Sequence, residues 1–153
     1  MTIEEEQIAI KKAEEYIPAT VHLIAGCQDH EKSKDVTYTK TGKSTGIFTD
    51  TLLKVLRNDT TKELTYKQVW QNTKDLMKKN FTQTPLLTSS RPLDVNQKFR
   101  IVPENKENNQ IFTGTRRAVV IGINYTGSSM PLDGAQNDAL DVSNVLNSFC
   151  IRS

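Results

Sequence analysis

Apolar residues recur at helical spacing in four parts of the chain, each separated from the next by polar or turn-forming residues. Steps of three or four residues place such side chains on one face of a helix. The pattern predicts helices over residues 2–17, 45–57, 65–79 and 135–149. Two of these helices begin with a capping-box pair, Thr2 with Glu5 and Thr65 with Gln68, which satisfies free amides at a helix start.

Three shorter apolar runs lack helical spacing and predict strands. Residues 20–25 and 117–123 are almost continuously apolar, which is typical of strands buried on both faces of a parallel sheet. A third short strand is expected at residues 85–87. The polar residues 27–45 and the turn-rich residues 124–134 are expected to be loops. This order of elements predicts an α/β architecture with a mainly parallel sheet.

The composition then excludes several classes of protein. Hydrophobic residues make up 36% of the chain and charged residues 25%, which is more apolar surface than a wholly disordered chain carries. No run approaches the roughly 18 consecutive apolar residues of a membrane span. The net charge of +2 is too small to indicate nucleic acid as a partner. An acidic N-terminus and only two cysteines favour a cytoplasmic location, without a secretory signal or a membrane partner.

Residues 41–45, with the sequence TGKST, resemble the end of a phosphate-binding loop. That motif also needs a glycine at position 37, where this chain has Thr37, and a strand immediately before the loop. Because neither condition holds, a flexible basic loop is expected instead.

Cys27 follows the first predicted strand, at the kind of position where α/β proteins gather functional side chains. His30 stands at the spacing of a metal-ligand pair, but two residues supply only half of a usual zinc site. Nothing in the sequence brings His22 or Cys150 to them, so no metal site is expected. A catalytic base normally comes from elsewhere in the fold, so a structural role for the Cys27 thiol is preferred over a nucleophilic one.

Asp138 stands out in the last predicted helix. With 100° between successive residues, this acid falls at the margin of an apolar face. That face consists of Ala135, Ala139, Val142, Leu146 and Phe149. Two interpretations are open: a first-turn acid that interacts with the helix dipole, or a carboxylate that lines a pocket for a cationic side chain.

Five stretches of the chain resemble the metacaspases, a family of caspase-like cysteine peptidases. Residues 116–125 (RRAVVIGINY) resemble the opening strand of the family's p20 region, and residues 132–139 (LDGAQNDA) its L-x-G-C-x-N-D-V stretch. The p10 region is resembled by residues 26–36, 46–53 and 83–92. Within these stretches Ala135 replaces a usual Cys, and Glu31 with Lys32 replaces a usual Gln-Thr.

The order of these stretches is reversed relative to most metacaspases. It resembles the rearranged type III class, in which the p10 region comes first. The resemblance implies a p10-like region over residues 1–95 and the start of a truncated p20-like region over residues 116–153. Between them, residues 96–115 are rich in Asn, Gln, Lys and Glu, which predicts a mostly flexible linker that Phe99 and Ile101 would anchor. A surface linker can join such pieces without disturbing a core.

The resemblance also implies a fold and an activity. The fold would be a caspase-hemoglobinase-like three-layer α/β sandwich, incomplete in this chain. The activity would be endopeptidase cleavage after Arg or Lys of a peptide or protein substrate, with calcium required by the full-length family. Asp138 matches the acid of the pocket for the basic side chain, which favours the pocket interpretation.

The family's S-G-H-G and D-x-C-H-S-G motifs, which carry its catalytic His and Cys, do not occur in this sequence. We therefore assign no catalytic residue, no metal ligand and no cofactor to this chain and expect it to be inactive alone. The alternative is a non-catalytic caspase-like module that pairs with a separate p20-bearing chain. An unrelated α/β domain is the third possibility. Incompletely covered apolar faces predict aggregation.

Overall fold

The computed structural model describes residues 19–61, 63–79, 81–101 and 117–150, together with residues 2, 5, 7, 8, 11, 12 and 16. The named elements are β1 (His22–Ala25), β2 (Asp35–Tyr38), β3 (Lys43–Gly46), α1 (Ile47–Asn58), α2 (Tyr66–Lys78), β4 (Leu86–Ser89) and α3 (Ala135–Cys150).

The chain begins with the predicted capping box. The Thr2 amide donates to Glu5 Oε2 at 2.7 Å, and the Glu5 amide donates to Thr2 Oγ1 at 3.2 Å. Residues 5, 7, 8, 11, 12 and 16 are helical. The remaining residues of the predicted helix over residues 2–17 lie outside the described residues.

The helices α1 and α2 form the core. Their buried apolar side chains are Ile47, Leu53, Val55, Tyr66, Val69 and Met77. The predicted capping box at the start of α2 is confirmed, because the Thr65 side chain accepts from the Gln68 amide while the Gln68 side chain accepts from the Thr65 amide. Trp70 Nε1 donates to the Pro85 carbonyl at 2.9 Å and so ties α2 to the start of β4.

The strands form two antiparallel ladders, β1 with β4 and β2 with β3. The predicted strand at residues 85–87 corresponds to β4. The described residues contain no parallel pair, so the expected mainly parallel sheet is not found among them. The expectation that β1 is buried on both faces is wrong: Leu23 is 54% exposed. The reason is that one face of β1 is covered within the described part of the chain. Ile24 on that face lines a small cavity with side chains of α1 and α2, whereas Leu23 points to the opposite face.

The predicted polar loop over residues 27–45 contains a hairpin instead. The strands β2 and β3 are joined by a turn in which the Tyr38 carbonyl accepts from the amides of Thr41 and Gly42, and Gly42 has a φ of 65°. The Lys, Thr and Ser side chains of these strands lack the apolar alternation that predicts a strand. Because β3 occupies residues up to Gly46, helix α1 begins at Ile47 rather than near Thr45.

The expected buried strand over residues 117–123 is also wrong. These residues belong to no strand, and Val119 and Ile121 are 86% and 74% exposed. A buried parallel strand needs hydrogen-bonding strands beside it, and no strand in the described part of the chain pairs with this segment. The loop over residues 124–134 and the helix after it follow the prediction.

Phe99, at the start of the predicted linker, packs against the first turn of α2. Its amide donates to the Leu64 carbonyl at 2.7 Å, and its ring meets the ring of Tyr66 edge-on with 5.1 Å between centroids. Residues 102–116 lie outside the described residues. None of the described helices is both long and apolar enough to cross a bilayer.

Candidate functional site

The start of helix α3 is held by the loop that precedes it. The Asp138 amide donates to the Gly134 carbonyl at 2.9 Å, which is the first hydrogen bond of the helix. The Gln136 amide, free of a helical partner at this position, donates to Asn124 Oδ1 at 3.0 Å. The Leu132 amide donates to the Asn124 carbonyl at 2.7 Å. Asn124 therefore positions the helix that carries the candidate site residue.

The Asp138 carboxylate does not face solvent alone but contacts strand β3. Thr45 Oγ1 donates to Asp138 Oδ1 at 2.5 Å. The Gly46 amide donates to the same oxygen at 2.9 Å and lies 3.1 Å from Oδ2. The carboxylate is half-buried. A residue of the last helix is thus joined to residues more than ninety positions earlier.

Two glycines allow this close approach. A Cβ on Gly46 would lie 2.5 Å from Asp138 Oδ2, and a Cβ on Gly134 would lie 2.8 Å from the carbonyl carbon of Thr45. Both distances are shorter than a carbon atom can tolerate. A larger residue at Gly134 would press on the backbone of β3 and separate it from α3, whereas one at Gly46 would displace the Asp138 carboxylate.

Further polar contacts fasten the same two elements. Asn137 Nδ2 donates to the Ser44 carbonyl at 2.7 Å. Lys43 Nζ pairs with Asp141 Oδ2 at 2.7 Å. Three side chains from the first two turns of α3 thus contact β3, namely those of Asn137, Asp138 and Asp141. Asp138 lies between the other two along the helix.

Asp35 contributes a second carboxylate to this junction. Its Oδ2 accepts from the Gly134 amide at 3.1 Å, immediately before the first helical residue, where a negative charge is favourable. Sequence reasoning gave the dipole role to Asp138 as one of its two interpretations. The structure shows Asp138 in the first turn, with its carboxylate bonded to β3, and Asp35 beside the helix start.

Sequence reasoning missed Thr45 and Asp35 as neighbours of Asp138. Residues 41–45, predicted to be a flexible basic loop, are a hairpin turn and most of β3, in which Ser44 and Thr45 are buried. No spacing rule connects a hairpin to a helix some ninety residues away. The one available signal was that both residues lie in or beside the stretches that resemble one family.

Cys27 is half-buried, and its Sγ lies 3.7 Å from the Glu31 carbonyl as a weak donor. The His22 ring packs on the Tyr66 ring, with 5.4 Å between centroids. The side chain of Cys150 lies outside the described residues. Within the described ranges, no group of three or more His, Cys, Asp or Glu side chains could hold a metal ion, so these residues do not fit a calcium site.

Glu31 closes the loop between β1 and β2. Its Oε2 accepts from the Thr84 amide at 2.7 Å and from the Gln28 amide at 3.2 Å. The hydrogen bond from the Thr84 amide lowers the pKa of Glu31 below its usual value, partial desolvation opposes that shift, and the Gln28 amide and the nearby His30 reinforce it. Beside it, the buried Gln83 donates to the Gly26 carbonyl at 2.8 Å.

The chain is similar to a known protein family and to several known proteins. The model of the caspase domain family, a peptidase family, matches residues 2–96. The chain is 41% identical over 140 residues to Metacaspase III c of Phaeodactylum tricornutum, a match that covers 84% of this chain and 40% of that protein. It is 35% identical over 81 residues to Metacaspase-1 of Mycosarcoma maydis, covering 53% and 19% of the two chains.

Metacaspase-3 of Trypanosoma cruzi is 33% identical over 92 residues, covering 54% of this chain and 24% of that protein. No solved structure matches the chain. The chain belongs to the caspase domain family of cysteine peptidases, and within that family it is a metacaspase. It spans well under half the length of the relatives it matches.

Proposed function

We propose that this chain carries the recognition part of a metacaspase that cleaves peptides after Arg or Lys, and that Asp138 receives the basic side chain. The observation that supports this role is the asymmetric bonding of the Asp138 carboxylate. Two donors, Thr45 Oγ1 and the Gly46 amide, bond Oδ1, while among the described residues Oδ2 has the single, longer contact of 3.1 Å to the Gly46 amide. An ionised carboxylate has about four acceptor positions, so Oδ2 retains capacity for a cationic ligand.

The charge around the site supports the same ligand. Asp35 Oδ1 and Asp138 Oδ2 both flank Gly46, at 3.7 Å and 2.5 Å from the position that its Cβ would take. Lys43, the basic residue of this strand, already pairs with Asp141. A guanidinium or an ammonium is therefore the complementary group.

The proposal does not assign the bond-breaking step to this chain alone. The His and Cys motifs of the family do not occur in its sequence, and a thiolate with a positioned base is what attacks the scissile carbonyl in such enzymes. Calcium dependence is likewise assigned to the complete enzyme, and no step here depends on it. We also propose a cytoplasmic location, which the small number of cysteines supports.

The test measures the binding of N-acetyl-arginine amide to the labelled chain, with the backbone amide chemical shifts of the chain as the readout. We expect Asp138→Asn to weaken binding by about tenfold or more, because a hydrogen bond between charged groups is lost. Asp141→Asn is the matched control, since it removes the neighbouring acid of the same helix, and it should change affinity less than about twofold. A wild-type chain that does not bind, or an Asp138→Asn variant that binds equally well, would contradict the proposal.

Turnover is tested separately with a fluorogenic arginine peptide in the presence of calcium. We expect none from the chain alone. Turnover abolished by Cys27→Ala or Cys150→Ala would show that the chain has its own nucleophile and would overturn the assignment of catalysis to other residues.

A second candidate function is that of a non-catalytic module that pairs with a p20-like chain bearing the dyad. The exposed apolar run over residues 117–123, which pairs with no strand in the described part of the chain, favours it, because such a segment can add to a partner's sheet. Co-expression with such a chain tests this function. We expect a stable complex, which Ile121→Pro should disrupt because proline removes a backbone donor. Complex formation unaffected by this substitution would argue against the segment.

A further inference from the structure

We propose that Thr45 is a positioning residue that orients the Asp138 carboxylate for a guanidinium. This inference rests on the proposed pocket role of Asp138. It adds a residue from a different segment of the chain, one that would set the preference between arginine and lysine rather than touch the substrate.

The first argument is the geometry at the carboxylate. Thr45 Oγ1 and the Gly46 amide both donate to Oδ1, at 2.5 Å and 2.9 Å. These two bonds occupy one oxygen and fix the plane of the carboxylate, so that Oδ2 is the oxygen presented to a ligand. With the amide alone, which also lies 3.1 Å from Oδ2, rotation of the carboxylate between its two oxygens would be less restricted.

The second argument is the rigidity of the donor. Thr45 is only 3% exposed and belongs to β3, where it pairs with Val36 of β2. A β-branched side chain has few accessible rotamers, and the backbone of Gly134 lies against that of Thr45. The hydroxyl is therefore held in place before any ligand arrives, which is the condition for a positioning role.

The third argument distinguishes the two basic side chains. With Oδ1 occupied, a guanidinium can still direct two of its N–H groups at Oδ2, and this planar geometry depends on the orientation of the carboxylate. An ammonium acts as a point charge that can approach Oδ2 from several directions. Removing the Thr45 hydroxyl should therefore harm arginine binding more than lysine binding.

The experiment compares affinities of N-acetyl-arginine amide and N-acetyl-lysine amide for Thr45→Val and Thr45→Ser. We expect Thr45→Val to weaken arginine binding by about tenfold and lysine binding by about threefold or less. Thr45→Ser, which keeps the hydroxyl, should restore arginine binding to within about threefold of wild type. Thr51→Val is the matched control, because it removes another buried hydroxyl that bonds only the Ile47 carbonyl of its own helix.

Thermal unfolding of each variant is measured alongside. Should Thr45→Val fail to fold, Thr45→Ala replaces it, since alanine deletes the same hydroxyl without placing a methyl group against the carboxylate. The ratio of its affinities for the arginine and lysine ligands then tests the positioning role. The positioning role would be overturned if the Thr45 variant lost equal affinity for the two ligands, or if it bound arginine within about twofold of wild type. In that case a loss of binding in Asp138→Asn would still support the proposed function. Absence of any effect of Asp138→Asn would overturn both.

Discussion

Single carboxylates in this protein are held by backbone amides of distant segments. Asp138 accepts from Gly46, Asp35 from Gly134, and Glu31 from Thr84. Such charge-assisted bonds are stronger than those between neutral groups. They join segments of the chain that are far apart in sequence.

Glu31 makes the stability of the chain depend on pH. Its pKa is lowered in the folded state, mainly by the Thr84 amide, so its contribution is present above the unfolded pKa and is lost as the pH falls through the folded pKa. Glu31→Gln retains an acceptor oxygen but does not ionise. We expect its melting temperature to lie below that of wild type at pH 7 and the difference to shrink as the pH falls below 4.5, the usual pKa of a glutamate.

The control for this prediction is Glu63→Gln. Glu63 pairs with Lys98 at the exposed surface, and such pairs contribute little. A difference between wild type and Glu31→Gln that stays constant over the acid range would contradict an ionisation-dependent role for Glu31.

At the scale of elements, some parts of the fold are set by residues close together in the chain, and others are set by contacts between distant segments. The helices α2 and α3 and both capping boxes follow from residues a few positions apart, which is why sequence reasoning found them. The β2–β3 hairpin and the unpaired state of residues 117–123 depend on which strands lie nearby. A short apolar run does not contain that information.

The contact between α3 and β3 depends on Gly134. We expect Gly134→Ala to reduce stability by about 1–3 kcal/mol, because its Cβ would overlap backbone that cannot move aside. Hydrogen exchange should show the loss chiefly in α3, with α1 and α2 less affected. Gly42→Asn is the control, since asparagine tolerates a positive φ and a side chain there meets open space. Equal protection of α3 in both variants would show that the close approach is not required.

At the scale of the whole molecule, many apolar side chains are exposed rather than buried in the core. Those that follow residue 116 include Val119, Ile121, Tyr125, Met130 and Leu140. Where such side chains form a patch, it is typical of an interaction site or an aggregation-prone surface. Residues 117–123 would be covered if a strand-bearing partner joined the chain, as the second candidate function requires.

This surface predicts self-association of the isolated chain. Val119→Lys with Ile121→Lys should reduce concentration-dependent light scattering and dye binding severalfold, while the melting temperature stays within a few degrees, because both side chains are already exposed. Asn72→Lys with Thr82→Lys adds the same charge elsewhere on the exposed surface. An equal reduction in both double variants would attribute the effect to net charge rather than to the apolar segment.

The sequence by itself determined the approximate extents of α1, α2 and α3, the two capping boxes, a short strand near residues 85–87 and the family, because each depends on residues close together in the chain or on short motifs. It also singled out Asp138, from its position on a helix and its match to a motif. Only the tertiary structure decided that Asp138 meets Thr45 and Gly46 and that residues 117–123 stay unpaired. Those facts depend on long-range contacts between segments, which neither periodicity nor local propensity encodes.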